Sequence, residues 1–239
     1  MSKQVADYNN NEWKIKLAGM KDGTYDRKSR TRWDFAMANI DKGSIVLDVA
    51  CGDGVFGQKL IEQKGCTVFG VDCAQIALDA SREKGVNAFY CDISDDEFPF
   101  DSDTFDYVTA LCCLEHLFDP IHCMKEILRV MKTGGKLIVS LPNAVNHKIR
   151  EDFNKGIVSP ELLHAKPGEG MHLQFYNYDS DFETKVLEKV KGAVVILKKG
   201  DLKDLARYTS DEADKLFKLI ELDPNKYSEY VHWIIEKRK

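Results

Sequence analysis

Two glycines and three aspartates stand at intervals that suit the grip on a nucleotide-like ligand. The run Val46-Leu47-Asp48-Val49-Ala50-Cys51-Gly52-Asp53-Gly54 is an apolar stretch ending in a glycine turn. Glycine at 52 and 54 lets the backbone bend sharply and approach a ligand with no Cβ in the way. Asp72, 18 residues beyond Gly54, closes a second apolar run. A carboxylate at such a strand end accepts hydrogen bonds from ribose hydroxyls. Asp92 follows a third run, residues 88–91, positioned to accept from an adenine amino group. Alone, the turn serves NAD, FAD or other nucleotides, or is only a tight turn. Joined to acids at successive strand ends, it points to a bound nucleoside.

Groups able to move a proton come later in the chain. A fourth run, residues 105–111, leads into Leu111-Cys112-Cys113-Leu114-Glu115-His116. His116, with Glu115 beside it, is the first candidate for a general base; the alternative is that the pair only orients the following loop. His147, His164 and His172 lie in or beside an irregular segment and are weighed against ordinary loop or packing histidines. Seven cysteines, at 51, 66, 73, 91, 112, 113 and 123, form no CxxC pair. Their odd number fits reduced thiols in a cytosol. Cys112 and Cys113, expected on opposite faces of a strand, make a poor zinc site.

The elements that must carry these residues alternate. Strands are expected at 44–50, 67–72, 88–91, 105–111, 136–141, 193–197 and 227–236, with helices at 30–40, 55–63, 74–84, 120–131, 179–190 and 202–222. Continuous apolar strands read as buried on both faces. The alternation predicts a doubly wound, mostly parallel α/β sheet, with the ligand at the carboxyl ends of the strands near the reversal of strand order. Residues 1–43 form an N-terminal helical or lid segment, with Tyr25 and Trp33 as possible lid residues. The domain proper is expected at 44–239, with inserts at 142–172 and 202–222 shaping an acceptor pocket.

From Ile45 to Asn143 the sequence resembles the class I S-adenosylmethionine-dependent methyltransferases. It is most similar to a small-molecule branch with Leu114-Glu115-His116 after strand four. The matching elements are Val46 to Gly54, Gly70-Val71-Asp72, Asp92, Phe105 to Pro120, and Met131 to Asn143. The resemblance implies a Rossmann-like, seven-stranded sheet with the last strand antiparallel, and S-adenosylmethionine as cofactor with S-adenosylhomocysteine as product. It places Asp48 and the loop of Ala50, Gly52 and Gly54 against the methionine part, and Arg32, or neighbouring Arg30, near its carboxylate. Asp72 and Cys73 fall beside the ribose, Asp92 and Ile93 beside the adenine, and Leu111 against the cofactor through a carbonyl and apolar contact. Ala50 stands where many relatives have glycine, which suits an uncharged methionine chain better than a pyrophosphate. Some quinone-pathway relatives are thought to hold a metal through Glu-x-x-Glu-His; Cys112 replaces the first Glu here, and hard cations prefer oxygen, so no metal is expected. His116, His147 and His172 are the candidate catalysts.

Composition narrows the acceptor. The 239 residues carry a net charge of −5, and no basic stripe or base-gripping motif marks a nucleic-acid enzyme. No secretory leader and no apolar run of spanning length are seen. The expectation is a cytoplasmic monomer or homodimer with no membrane or nucleic-acid partner, methylating oxygen on a small hydroxylated molecule such as a sugar or glycan precursor. The alternatives are N-methylation of a small amine and a non-catalytic cofactor-binding protein. A nicotinamide oxidoreductase fits poorly, since no Tyr-x-x-x-Lys pair is present.

Overall fold

A computed structural model describes residues 2–18, 31–157, 173–177, 181–201 and 210–239. Helices α1 (Ser2–Ala18) and α2 (Thr31–Asn39) precede β1 (Ile45–Val49), α3 (Val55–Lys64), β2 (Thr67–Asp72), α4 (Gln75–Glu83), β3 (Asn87–Tyr90) and β4 (Phe105–Leu111). There follow α5 (Pro120–Val130), β5 (Met131–Pro142), α6 (His147–Asn154), α7 (Asp181–Lys185), β6 (Ala193–Asp201), α8 (Ser210–Leu222), α9 (Pro224–Tyr227) and β7 (Tyr230–Lys237).

The strands form one seven-stranded sheet of order β3-β2-β1-β4-β5-β7-β6. Strands β1 to β5 pair in parallel, and β7 inserts antiparallel between β5 and β6. Strand order reverses between β1 and β4, which opens a crevice at their carboxyl ends. Adjacent residues of a strand face opposite sides, so both halves of the apolar pattern are used. Val46 joins Val68, Ile138 and Ile234 under Trp33, Phe35, Phe56 and Leu60. Leu47 joins Val108, Leu137 and Ile235 under Met124, Ile127 and Phe182. Local signals set the helix ends. Gly65, with φ 64°, stops α3 and donates its N–H to Ile61 O, as a left-handed cap does. Pro120 opens α5, and the Asp119 side chain accepts from Ile121 N.

Several expectations are corrected. The helix at 179–190 is instead α7 followed by a 3₁₀ turn, Leu187–Lys189; Val186 and Val190 are buried beside it, and that packing is what the apolar spacing recorded. The fifth strand begins at Met131, before the glycines, through a register irregularity opposite Phe105 and Tyr107. Tyr227 ends α9 rather than starting the last strand. The 142–172 insert contains α6, whose Asn146 cap accepts from Lys148 N and Ile149 N; the helix shows Ile149 as its buried apolar residue, so it left little periodicity to read. Cys112 has φ 60° and lies beyond the end of β4, so Cys112 and Cys113 do not alternate as strand neighbours. Residues 202–209 of the charged insert, with Tyr25, Arg30, His164 and His172, lie outside the described residues.

Candidate functional site

The glycine turn after β1 wraps the floor of a cavity of about 200 Å³. Lining it are Lys16 and Trp13 of α1, Arg32 and Trp33 of α2, Asp48 to Asp53, and Leu111 and Cys112 at the end of β4. Four of these are ionisable: Lys16 and Arg32 share the space with the carboxyl groups of Asp48 and Asp53. A ligand bearing both an ammonium and a carboxylate matches that arrangement.

Each wall has a structural cause. Ala50 and Cys112 both hold left-handed backbone, φ 57° and 60°, at a cost of about 1 kcal/mol each for a residue with a Cβ. Such strain concentrates where a chain must turn abruptly off a strand toward a ligand. The Cys112 thiol hydrogen-bonds with Tyr230 and Ser140, and burial raises its pKa above the ordinary thiol value. Behind it, Ser140 Oγ lies 2.8 Å from His232 Nδ1. That histidine is sealed in the sheet, and burial first, then the charges of Lys199 and Arg32, lower its pKa to about 3. It is therefore a neutral packing group. Arg32 lies over the Tyr230 ring at 6.0 Å.

Asp48 is the acid most changed by its surroundings. Burial pushes its pKa up to about 7, nearby Asp72 adds to the rise, and a 2.6 Å hydrogen bond from Thr109 Oγ1 opposes it. Between about pH 4 and 7 the folded chain therefore holds a proton that the unfolded chain has lost, so this group's contribution makes stability fall as pH rises through that window. A cationic ligand group beside Asp48 needs the ionised form. Affinity for an amino-acid ligand is expected to strengthen several-fold from pH 6 to 8, and Asp48→Asn is expected to flatten the profile. Calorimetric titration across that range checks both.

Asp72 borders this floor without lining it. Its Oδ2 accepts from Gly52 N at 3.0 Å and its Oδ1 from Ala74 N at 2.9 Å, tying the glycine loop to the start of α4. One residue beyond β3, Cys91 N donates to Asp72 O, which brings Asp92 alongside. Asp92 is buried and accepts from Ser94 N; Ile93 is buried next to it and Cys73 is half-buried. Gly54, with φ 75°, is in contact with α4 through Ser81.

Of the residues singled out in the sequence, Arg32, Asp48, Ala50, Gly52 and Leu111 converge on one cavity, while Gly54, Asp72, Cys73, Asp92 and Ile93 are not part of its lining. His116 sits on the 3₁₀ turn after β4, its Nε2 4.0 Å from Glu115 Oε1; Glu115 is buried. His147 opens α6 on a separate segment. Trp13, Lys16 and Asp53 were missed as site residues. Trp13 and Lys16 are three apart on one helix face, but nothing in the sequence links that face to the glycine turn. Among the described residues, no group of three His, Cys, Asp or Glu side chains is placed to hold a metal ion, and no helix is long and apolar enough to cross a membrane.

Comparison with known proteins agrees with this architecture. The ubiquinone biosynthesis O-methyltransferase of Pseudomonas fluorescens strain Pf0-1 is 34% identical over 122 residues, 48% of this chain and 50% of that protein. The chain thus spans about half the length of this relative. The alkbh8 tRNA (carboxymethyluridine(34)-5-O)-methyltransferase of Xenopus tropicalis is 30% identical over 124 residues, 49% of this chain and 19% of that one. Among solved structures, the methyltransferase held by the Trm112 activator in Haloferax volcanii superposes with a TM-score of 0.64 at 16% identity, over 98% of this chain and 99% of its own; it shows the shared fold. A model of the methyltransferase domain matches residues 40–177, more than half the chain, and this protein therefore belongs to the methyltransferase-domain family.

Proposed function

We propose that the chain is an S-adenosylmethionine-dependent methyltransferase of the branch marked by Leu114-Glu115-His116, transferring a methyl group to oxygen on a small hydroxylated molecule such as a sugar or glycan precursor. The observation that carries this reading is the placement of Arg32, Asp48 and Asp53 in one cavity, beside Asp72 and Asp92 at the next two strand ends. That set complements an amino acid joined to a nucleoside. When bound, S-adenosylmethionine supplies an electrophilic methyl on a sulfonium. Arg32 would hold the ligand carboxylate, and Asp48 and Asp53 its ammonium. Asp72 would accept from the ribose hydroxyls and Asp92 from the adenine amine, with Ile93 beside the ring. Leu111 closes the floor with apolar contact.

Holding the acceptor in line with the methyl provides much of the acceleration. His116 takes the acceptor's hydroxyl proton, and Glu115 steadies the resulting imidazolium. A hydroxyl acceptor needs that base more than a free amine does. His116→Ala is thus expected to lower kcat about a hundredfold or more while leaving S-adenosylhomocysteine affinity intact. Steady-state rates with hydroxylated and amine acceptors test this: an unchanged kcat, or turnover of amines alone, would transfer the reading to N-methylation. The tRNA-modifying relative shows that family membership does not choose the acceptor. The excess of acidic over basic residues favours a small molecule over a polyanion.

A further inference from the structure

We infer that α1 is a built-in competitor for the cofactor site, and that the cofactor must displace it to bind. The inference rests on the cofactor reading above and adds a form of regulation to it.

The face of α1 that meets the site is a stripe of three residues, Asn10, Trp13 and Lys16, spaced so that they share one side of the helix. Each holds α1 against the glycine turn, Asp72 or the start of α4. The indole of Trp13 lies directly on the bare face of Gly52: a Cβ built there would sit 2.5 Å from Cζ2 and 2.7 Å from Cη2. No ligand atom fits between them, although a glycine at this turn serves to let a ligand come close. The Lys16 ammonium, 5.0 Å from the Trp13 ring centre, is near enough to Asp72 to counter part of the rise that burial imposes on its pKa. It provides the counter-group to the acid that would bind ribose. Asn10 Oδ1 accepts from Ile76 N at 3.2 Å. That N–H belongs to the first turn of α4, where the N-cap Ala74 has no side chain able to cap it. Asn10 does so from another helix and pins α1 in place.

The open space agrees. The cavity over the glycine turn has Trp13 and Lys16 of α1 in its lining. At about 200 Å³ it falls below the roughly 300–1,000 Å³ of ordinary small-molecule sites. A chain whose binding-competent form is a minor population shows an affinity reduced by that fraction, so loosening α1 raises affinity.

The test is calorimetric titration of S-adenosylhomocysteine into the full chain and into its Trp13→Ala and Asn10→Ala variants, with thermal melts to confirm that each is folded. The competitor role predicts Kd about tenfold tighter in Trp13→Ala, a smaller gain in Asn10→Ala, and faster tryptic cleavage at Lys14 and Lys16 when ligand is added to wild type. Equal or weaker affinity in folded variants, with ligand protecting those lysines, would make α1 a fixed wall of the site and overturn the proposal while sparing the cofactor reading. Absence of binding to all three proteins would sink the cofactor reading, and the competitor role with it.

Discussion

Asp72→Ala is expected to weaken S-adenosylhomocysteine binding about a hundredfold, a loss of close to 3 kcal/mol. Two effects combine. The first is direct, since the variant lacks the carboxylate that would accept from the ribose, and hydrogen bonds to a charged group contribute about 1.5–3 kcal/mol each. The second acts through the loop: Asp72 accepts from Gly52 N and Ala74 N, and truncation strands both N–H groups in a buried setting. The glycine turn then loses its tie to α4. A cost of about 2 kcal/mol in stability is expected as well, since each stranded donor costs about 1–3 kcal/mol and relief of a buried carboxylate offsets part of it. Asp72→Asn, which keeps one acceptor oxygen, should lose less on both measures. Urea denaturation read beside calorimetry separates the two effects. Affinity lost in parallel for Ala and Asn, with stability unchanged, would contradict the clamp role.

Gly54→Ala is expected to destabilise the chain by about 3 kcal/mol, a fall in Tm of roughly 10 °C for a protein of this size. Gly54 caps α3 at φ 75°, a conformation that charges any L side chain about 1–2 kcal/mol. An added Cβ also meets Ser81 Oγ at 2.5 Å and Ser81 Cα at 2.7 Å. Rotating the hydroxyl away would relieve the first clash. The second is with helix backbone, so α3 or α4 must move. Gly43→Ala isolates the strain, because Gly43 has φ 73° with nothing within 4 Å of its added Cβ; about 1 kcal/mol is expected there. Equal melting temperatures for the two variants would show that the contact between the glycine loop and α4 is looser than described.

Residues whose role is local announced themselves in the sequence. Asp48, Gly52, Asp72 and Asp92 sit at strand ends, and strands buried on both faces make continuous apolar runs, so their positions along the sheet followed from the run lengths. Gly65 and Pro120 marked helix ends for the same reason: φ preference is a property of the residue itself. What escaped depends on tertiary approach. The contact of Trp13 with Gly52 joins positions 13 and 52 through no periodic signal, and the sharing of one cavity by Lys16 and Arg32 depends on how α1 and α2 lie over β1. The α6 helix was hidden because a surface helix with little apolar spacing reads as loop. The turn at Cys112 was hidden because its left-handed backbone occurs at a residue that does not favour it, and only the fold compels it.

The central claim is that the cavity beyond β1 binds an amino acid joined to a nucleoside. Calorimetric titration of the wild-type chain with S-adenosylmethionine and S-adenosylhomocysteine, with NADH as control, tests it most directly. Saturable one-to-one binding of both sulfur compounds, with none of NADH, is the predicted result. Binding of NADH in their place, or of none of the three, would contradict it and leave only the fold.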